Sequence, residues 1–143
     1  MELKTKEKLD YFVEKYNNST FIENDPIGLV HRFSNQNDIE IFGLIIATLS
    51  WGNRKSIIKS GENLLKIMDN EPFKFVKNFN ENELNLLNDF KHRTFNAFDL
   101  QFFILRLQKI YKRFGSLEEL FAPDFKKNKN SFNVDDVYGT WSL

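Results

Sequence analysis

The sequence predicts an all-α protein, a compact orthogonal bundle of about seven to eight helices around one buried central helix. Three observations support this fold class. Apolar residues recur three and four positions apart along most of the chain, and side chains that cap helices precede these periodic segments. No stretch alternates between apolar and polar residues for long enough to predict a sheet strand. The 143 residues are enough for one domain with its own core.

The first predicted helix has one continuous apolar face. Leu9, Phe12, Val13 and Tyr16 are spaced i, i+3, i+4 and i+7, which is the pattern of residues that share one side of a helix. The polar run Asn17–Ser19 then ends the periodic pattern, because short polar side chains favour turns over a helix interior.

A short second helix is predicted to begin at Asp25, which is a suitable N-cap and is followed by a proline at the first helical position. This helix carries Ile27, Val30 and Phe33. The polar segment Ser34–Asn37 is predicted to connect it to the next element.

The most buried helix is predicted near Asp38 to Leu49, where the sequence loses its polar face from Ile41 onwards. Asn37 with Glu40 three residues later resembles a capping box. The β-branched residues make a buried strand an alternative. The length of the segment, its cap and its helical surroundings favour a helix, and a helix that is apolar on all sides must be central.

Downstream, Asn53 is predicted to cap a helix that directs Ile57, Leu64, Leu65 and Met68 inward. Further helix starts are predicted at Glu71 before Pro72, at Asn80, at Asn96 or Asp99, and at Ser116, which pairs with Glu119 as a capping box. The apolar residues of these helices are Phe73, Val76, Phe79, Leu84, Leu86, Leu87, Phe90, Leu100, Phe103, Leu107, Ile110, Tyr111 and Phe114. The longest of the helices is predicted to end at Gly115.

Residues 1–125 are predicted to form the helical domain, and residues 126–143 a polar, irregular tail. No apolar signal segment is visible at the N-terminus, and the apolar stretch Ile41–Leu49 is too short to span a bilayer. A cytoplasmic location without membrane contact is therefore expected. The chain has no Cys, which excludes disulfides and thiolate ligands, and no metal or cofactor is predicted. Its formal net charge of zero leaves any binding of nucleic acid to local charge asymmetry.

The loop after the central helix is the most informative segment for function. Asn53 is predicted to cap a helix whose first turn holds Arg54 and Lys55, although the helix dipole disfavours cations at that end. Such cations, together with free backbone N–H groups, would suit a bound phosphate. Gly52 would allow close approach of a ligand, and Trp51 offers a stacking face. The alternative is that the two cations are merely solvated and that Trp51 belongs to the core.

The chain contains two His residues, and each is followed by an Arg, as His31-Arg32 and His92-Arg93. Both pairs precede a predicted helix start. They could form a metal site or act in acid–base catalysis, yet no third ligand stands at a telling spacing. A capping or hydrogen-bonded structural role is the alternative that we favour. His92-Arg93 could instead contact phosphate or brace the Trp51 loop.

Several segments of the chain together resemble a known family. These segments are Phe21–Ile27, His31–Phe33, Asp38–Ile41, Ala47–Lys55 and His92–Asn96. Through them the chain, over about residues 5 to 122, resembles a bacterial family of conserved proteins with no established activity. Members of that family are considerably longer, so the resemblance implies that this chain corresponds to an N-terminal half.

A more distant similarity concerns the Trp51 loop. A buried apolar helix that ends in Leu-Ser, a short polar loop with an amide residue and a second amphipathic helix are similar to the helix-hairpin-helix DNA glycosylase superfamily. In those enzymes an Asn or Gln on the loop probes the duplex beside a flipped base. The resemblance implies that Asn53 is the probe and Trp51 a wedge or stacking residue, with Arg54 and Lys55 on the DNA backbone.

The loop and the resemblance together define a predicted DNA- or phosphate-binding surface. Its residues are Trp51, Gly52, Asn53, Arg54, Lys55, His92 and Arg93, with His31 and Arg32 as supporting positions.

The superfamily's Gly-rich hairpin, its catalytic Lys and its catalytic Asp have no counterpart here, so no catalytic residue is predicted and catalysis by this chain alone is not expected. The sequence therefore predicts a helical protein, and the resemblance implies that it binds DNA as a relative of base-excision repair glycosylases. The alternative is a protein-interaction or structural half-domain without enzymatic activity, which needs a partner protein or the C-terminal half.

Overall fold

The computed structural model describes residues 2–121, in which one short hairpin is the only element besides the helices, and this confirms the all-α fold class. The predicted tail, residues 126–143, lies outside the described residues. In chain order the elements are α1 Glu2–Tyr16, α2 Ser19–Glu23, α3 Ile27–Val30, α4 Gln36–Leu49, α5 Arg54–Ile67, α6 Pro72–Asn78, α7 Glu81–Leu86, β1 Lys91–His92, β2 Phe95–Asn96 and α8 Ala97–Phe114. Residues 117–121 are also helical.

Helix α4 lies at the centre of the bundle and contacts α3, α5 and α6. Its residues Ile41, Phe42, Ile45, Ile46 and Leu49 are all buried. The strand alternative for this segment is wrong. Gln36–Leu49 form a helix of 14 residues that satisfies its own backbone hydrogen bonds, while neighbouring helices cover its apolar side chains.

The start of α4 differs from the prediction. The N-cap is Asn35, whose side-chain oxygen accepts hydrogen bonds from the amides of Asn37 and Asp38 at 2.9 and 3.3 Å. The predicted capping box of Asn37 and Glu40 is therefore wrong. The Glu40 carboxylate instead accepts hydrogen bonds from the hydroxyl of Tyr111 and from a distant backbone amide, so it ties α4 to the end of α8.

The sequence does not predict helix α2. Helix α3 ends at Val30, so Phe33 lies outside the helix that was predicted to carry it. Asp25 accepts a hydrogen bond from the Ile27 amide at 3.1 Å, although α3 itself begins only at Ile27.

Most of the other predicted helix starts agree with the structure. Asn53 caps α5, while Asn80 and Asn96 cap α7 and α8 with complete capping boxes. Gly115 ends α8 with a φ of 83°, a conformation that residues with a Cβ rarely adopt. The residues predicted to point inward from α5 are all buried: Ile57, Leu64, Leu65 and Met68.

Helix α1 exists as predicted, but its apolar face is not covered. Leu9, Phe12, Val13 and Tyr16 are between 47% and 60% exposed. The face makes aromatic contacts mainly along α1 itself, and Tyr16 also meets Phe21 of α2. The core of the described chain therefore forms without α1. None of the helices in the described range is both long and apolar enough to cross a membrane.

Candidate functional site

The loop between α4 and α5 has a defined backbone. The Ser50 hydroxyl donates a hydrogen bond to a carbonyl of the last turn of α4 at 2.7 Å, and the Trp51 amide donates to the Leu49 carbonyl at 2.8 Å. Gly52 follows with a φ of 109°, which favours glycine. Asn53 then returns to an extended conformation and starts α5, so the direction of the chain changes within three residues.

The second part of the site is the hairpin before α8. Lys91 pairs with Asn96 and His92 with Phe95, and the turn between the strands includes Arg93, whose φ is 57°. His92 is only 2% exposed, and its Nδ1 atom lies 2.8 Å from Oγ of Ser60 on α5. This hydrogen bond joins the hairpin to the side of α5.

The hairpin places Arg93 directly on the Trp51 loop. The guanidinium carbon lies 4.8 Å from the centroid of the Trp51 ring, which is a cation–π contact. It also packs so closely on Gly52 that a side chain at that position would collide with it. The His92 ring meets Trp51 edge-on, with 6.3 Å between centroids and an interplanar angle of 84°. We call these four residues, Trp51, Gly52, His92 and Arg93, the Trp51–Arg93 corner.

The structure does not bring Arg54 into this corner, contrary to the expectation that Arg54 and Lys55 converge on one anion. The Arg54 guanidinium lies 3.4 Å from the carboxylate of Asp25 and 5.3 Å from the ring centroid of Phe21, so it faces α2 and α3. The physical reason is that a carboxylate lies within reach of the first turn of α5. Lys55 is exposed.

The side chain of Asn53 caps α5. Its Oδ1 atom accepts a hydrogen bond from the Lys55 amide at 2.9 Å. A role as a probe through the amide nitrogen of Asn53 would leave this cap intact. The residue's use in DNA recognition stays a prediction.

The earlier pair, His31 and Arg32, forms no comparable corner. His31 is exposed at the end of α3, and Arg32 makes a two-point ion pair with Glu62 of α5, with N–O distances of 2.5 and 3.1 Å. The hydrogen bond from Arg32 holds the pKa of Glu62 below its ordinary value. The positive charge of Arg32 is thus neutralised by the Glu62 carboxylate. Within residues 2–121 no group of three or more His, Asp or Glu side chains could hold a metal.

The surroundings of the corner carry unbalanced positive charge. Four cations in the first two turns of α5 and in the hairpin make no ion pair with any described residue: Lys55, Lys59, Lys91 and Arg93. Helix α5 packs against β1, so these cations belong to neighbouring elements. A polar ligand at the corner would meet cations and the positive end of the α5 dipole.

The structure adds one feature that sequence reasoning missed. The sequence does not indicate that Ser60 has a structural partner, because a Ser in the middle of a helix is most often a solvated surface residue. Its contact with His92 depends on a hairpin 32 residues further along the chain. The other ring nitrogen of His92, Nε2, is buried and has no hydrogen-bond partner among the described residues. The His92 side chain is therefore held rigidly with unused hydrogen-bonding capacity.

A cleft of about 300 Å³ beside α2, α3 and α5 is an alternative site in the described part of the chain. Its charged lining residues include Asp25 and Arg32, which are already paired with Arg54 and Glu62. None of the four corner residues lines it. The corner is the better candidate, because its exposed cation has no carboxylate partner.

In a comparison with protein families, a family model described as a protein of unknown function, DUF2400, matches residues 25–138. The match includes the corner and the helices from α3 to α8, whereas α1 and α2 precede it. No curated protein matches the chain, and no solved structure matches it.

Proposed function

Because the chain belongs to the DUF2400 family of proteins of unknown function, we propose its function from the site: the Trp51–Arg93 corner binds the phosphate backbone of DNA. The observation that carries the proposal is the Arg93 guanidinium, held over Trp51 and without a carboxylate partner among the described residues. A guanidinium fixed in one orientation can donate two parallel hydrogen bonds to a phosphate with little further loss of entropy.

The start of α5 supports the same ligand class. Lys55 lies in the first turn of the helix, where exposed N–H groups and the dipole favour a bound anion. Lys59 lies one turn further on the same side. Lys55 and Lys59 would follow a sugar–phosphate backbone that Arg93 anchors.

The exposed ring of Trp51 favours a nucleic acid, rather than a free phosphate ion, as the ligand of the corner. The residue is 41% exposed, so part of the indole reaches solvent beside the guanidinium. Bases stack on such surfaces regardless of sequence. The similarity to DNA glycosylases predicts the same ligand. Since a net charge of zero supplies no long-range attraction, affinity is expected in the range of about 1–100 µM. The proposed role is binding without catalysis.

Fluorescence anisotropy with labelled duplex DNA, intact and with an abasic site, over a series of salt concentrations tests this proposal. Arg93→Ala and Lys55→Ala should each weaken binding and lower the slope of log affinity against log salt by about 0.9 per lost phosphate contact. Arg106→Ala is the matched control, because Arg106 also stacks on an exposed aromatic ring, Phe102, but on α8.

An unchanged affinity and slope for both corner variants would show that the proposal is wrong. A loss of equal size in Arg106→Ala would also contradict it, because binding would then follow total charge rather than the corner. Far-UV circular dichroism of each variant verifies that the helices remain folded.

A second candidate function, protein interaction without catalysis, is favoured by a different observation. The outer face of α8 exposes apolar side chains although α8 is packed in the core. This surface does not include any residue of the corner.

A further inference from the structure

Helix α8 has two apolar faces, and only one is buried. The buried face consists of Leu100, Ile104, Leu107 and Tyr111. The opposite face carries Phe98, Phe102 and Leu105, which are 75%, 51% and 39% exposed. A helix on the surface of a bundle normally carries polar residues on its outer side. The outer apolar face of α8 therefore has no role in the fold of the described chain.

The three exposed residues form a continuous stripe. Phe98, Phe102 and Leu105 are spaced i, i+4 and i+7, so their side chains follow one another along two turns of the helix. Single exposed apolar residues are normal on a protein surface, whereas a contiguous apolar patch is typical of an interaction site. This spacing is the one by which helices pack against each other.

Cations continue this stripe toward the C-terminus of α8. Arg106, Lys109, Lys112 and Arg113 make no ion pair with any residue that the structure describes. The helix dipole favours cations only in the last turn of a helix. That explains Lys112 and Arg113, but Arg106 and Lys109 lie before that turn. Arg106 stacks on Phe102, with 4.6 Å between its guanidinium carbon and the ring centroid, and so borders the apolar stripe.

We propose that the outer face of α8 docks an amphipathic, acidic helix of a partner protein. The apolar side of that helix covers Phe98, Phe102 and Leu105, and its Asp or Glu residues pair with Arg106 and Lys109. The choice of partner follows from charge complementarity. The outer face of α8 carries no carboxylate of its own, so a second copy of this face would not balance these cations. Asp99, the only acidic residue of α8, lies in the first turn and takes part in the capping box there.

The test measures binding of two synthetic peptides to the full chain. Both are about the length of α8 and carry the same helical Leu stripe, one flanked by Glu and the other by Lys. By fluorescence anisotropy the Glu peptide should bind at least about tenfold more tightly than the Lys peptide. The double variant Phe98→Ala/Phe102→Ala should weaken binding of the Glu peptide by about tenfold or more.

Phe12→Ala is the matched control, because Phe12 is an exposed aromatic residue on a different helix, and it should leave peptide binding unchanged. Equal binding of the two peptides, or no binding of either, would overturn the proposal. The comparison of the two peptides uses the wild-type chain, so its result is valid even if the variants do not fold.

Two further outcomes would assign the surface to another occupant and overturn the proposal. One is that Phe98→Ala/Phe102→Ala weakens binding of duplex DNA and leaves peptide binding unchanged. The other is dimerisation of the wild-type chain, seen by light scattering, that the double variant abolishes. The proposal does not depend on the Trp51–Arg93 corner, since Arg93→Ala should leave binding of the Glu peptide unchanged.

Discussion

The Nδ1 atom of His92 lies 2.8 Å from the Oγ atom of Ser60, and this hydrogen bond fixes the hairpin against the second turn of α5. His92 is buried and directly precedes Arg93, whose guanidinium covers Trp51. The position of an exposed cation thus depends on a hydrogen bond inside the protein.

Ser60→Ala should lower the free energy of unfolding by about 1–3 kcal/mol, which is the usual penalty for leaving a buried polar group without its partner. The loss arises because Nε2 of His92 already lacks a partner in the described structure, and the substitution removes the partner of Nδ1 as well. Urea unfolding followed by circular dichroism measures the change.

A double-mutant cycle provides the control. The combination of Ser60→Ala with His92→Leu should recover most of the loss, because an apolar pair leaves no buried polar group unsatisfied. If the losses from the two single substitutions simply add, the hydrogen bond contributes no coupling energy and the interpretation fails.

Gly52→Ala should destabilise the chain by about 1–3 kcal/mol, for two separable reasons. The φ of 109° at this position is strained for any residue with a Cβ, and the added methyl would occupy the position of the Arg93 guanidinium. Chemical denaturation measures the total loss.

The double variant Gly52→Ala/Arg93→Ala separates these two causes. It should be less destabilised than the sum of the single variants, since removal of the guanidinium leaves only the backbone strain. Strict additivity would mean that Arg93 does not pack on Gly52 in solution.

Glu40 should make the stability of the chain depend on pH below neutrality. Burial alone raises the pKa of this carboxyl, but hydrogen bonds from the Leu117 amide, the Tyr111 hydroxyl and the Gln36 side chain outweigh it, and the pKa lies below its ordinary value. Burial together with Glu40 also raises the pKa of Tyr111, so this hydroxyl remains a donor at neutral pH.

A carboxyl whose pKa is lowered by folding contributes stability above its unfolded-state pKa, and this stability is lost as the pH falls through the folded-state value. Glu40→Gln should therefore cost about 1–3 kcal/mol at neutral pH. The difference should vanish when both chains are unfolded with urea at a pH below the folded-state pKa of Glu40. Glu71→Gln, which affects only an exposed ion pair with Lys74, is the control and should change the stability far less than Glu40→Gln. A loss in Glu40→Gln that is independent of pH would contradict the assignment.

The sequence predicts those features of the fold that depend on near neighbours. Asn53, Asn96 and Gly115 end or start helices through contacts within three or four residues, so their chemistry is visible in the sequence. Asn35 was missed as the cap of α4 because Asn37 offers the same chemistry two positions later. The packing of α4 in the folded chain determines which of the two residues, Asn35 or Asn37, becomes the N-cap.

The candidate site depends on contacts that the sequence does not encode locally. The loop at Trp51 was predicted as a functional surface, but its main partner, Arg93, comes from a hairpin of two-residue strands with no alternating pattern. Arg54 was predicted to share this surface and instead faces Asp25. Which of several cations meets a given ring is decided by helix packing, and helix packing depends on the whole core.

The exposed face of α1 leads to a comparison of two phenylalanines. Phe12→Ala should change the free energy of unfolding by less than about 0.5 kcal/mol, because the ring is about half exposed and its aromatic contacts in the described structure are with Tyr11 and Tyr16 of its own helix. Phe42→Ala removes a ring with no exposure from α4 and should cost about 3–5 kcal/mol. If that variant does not fold, Ile45→Val on the same helix should cost about 0.5–1.5 kcal/mol. Urea unfolding followed by circular dichroism measures all three. A loss in Phe12→Ala as large as a core substitution would show that the face of α1 is packed in solution, since an exposed ring has no cavity to leave behind.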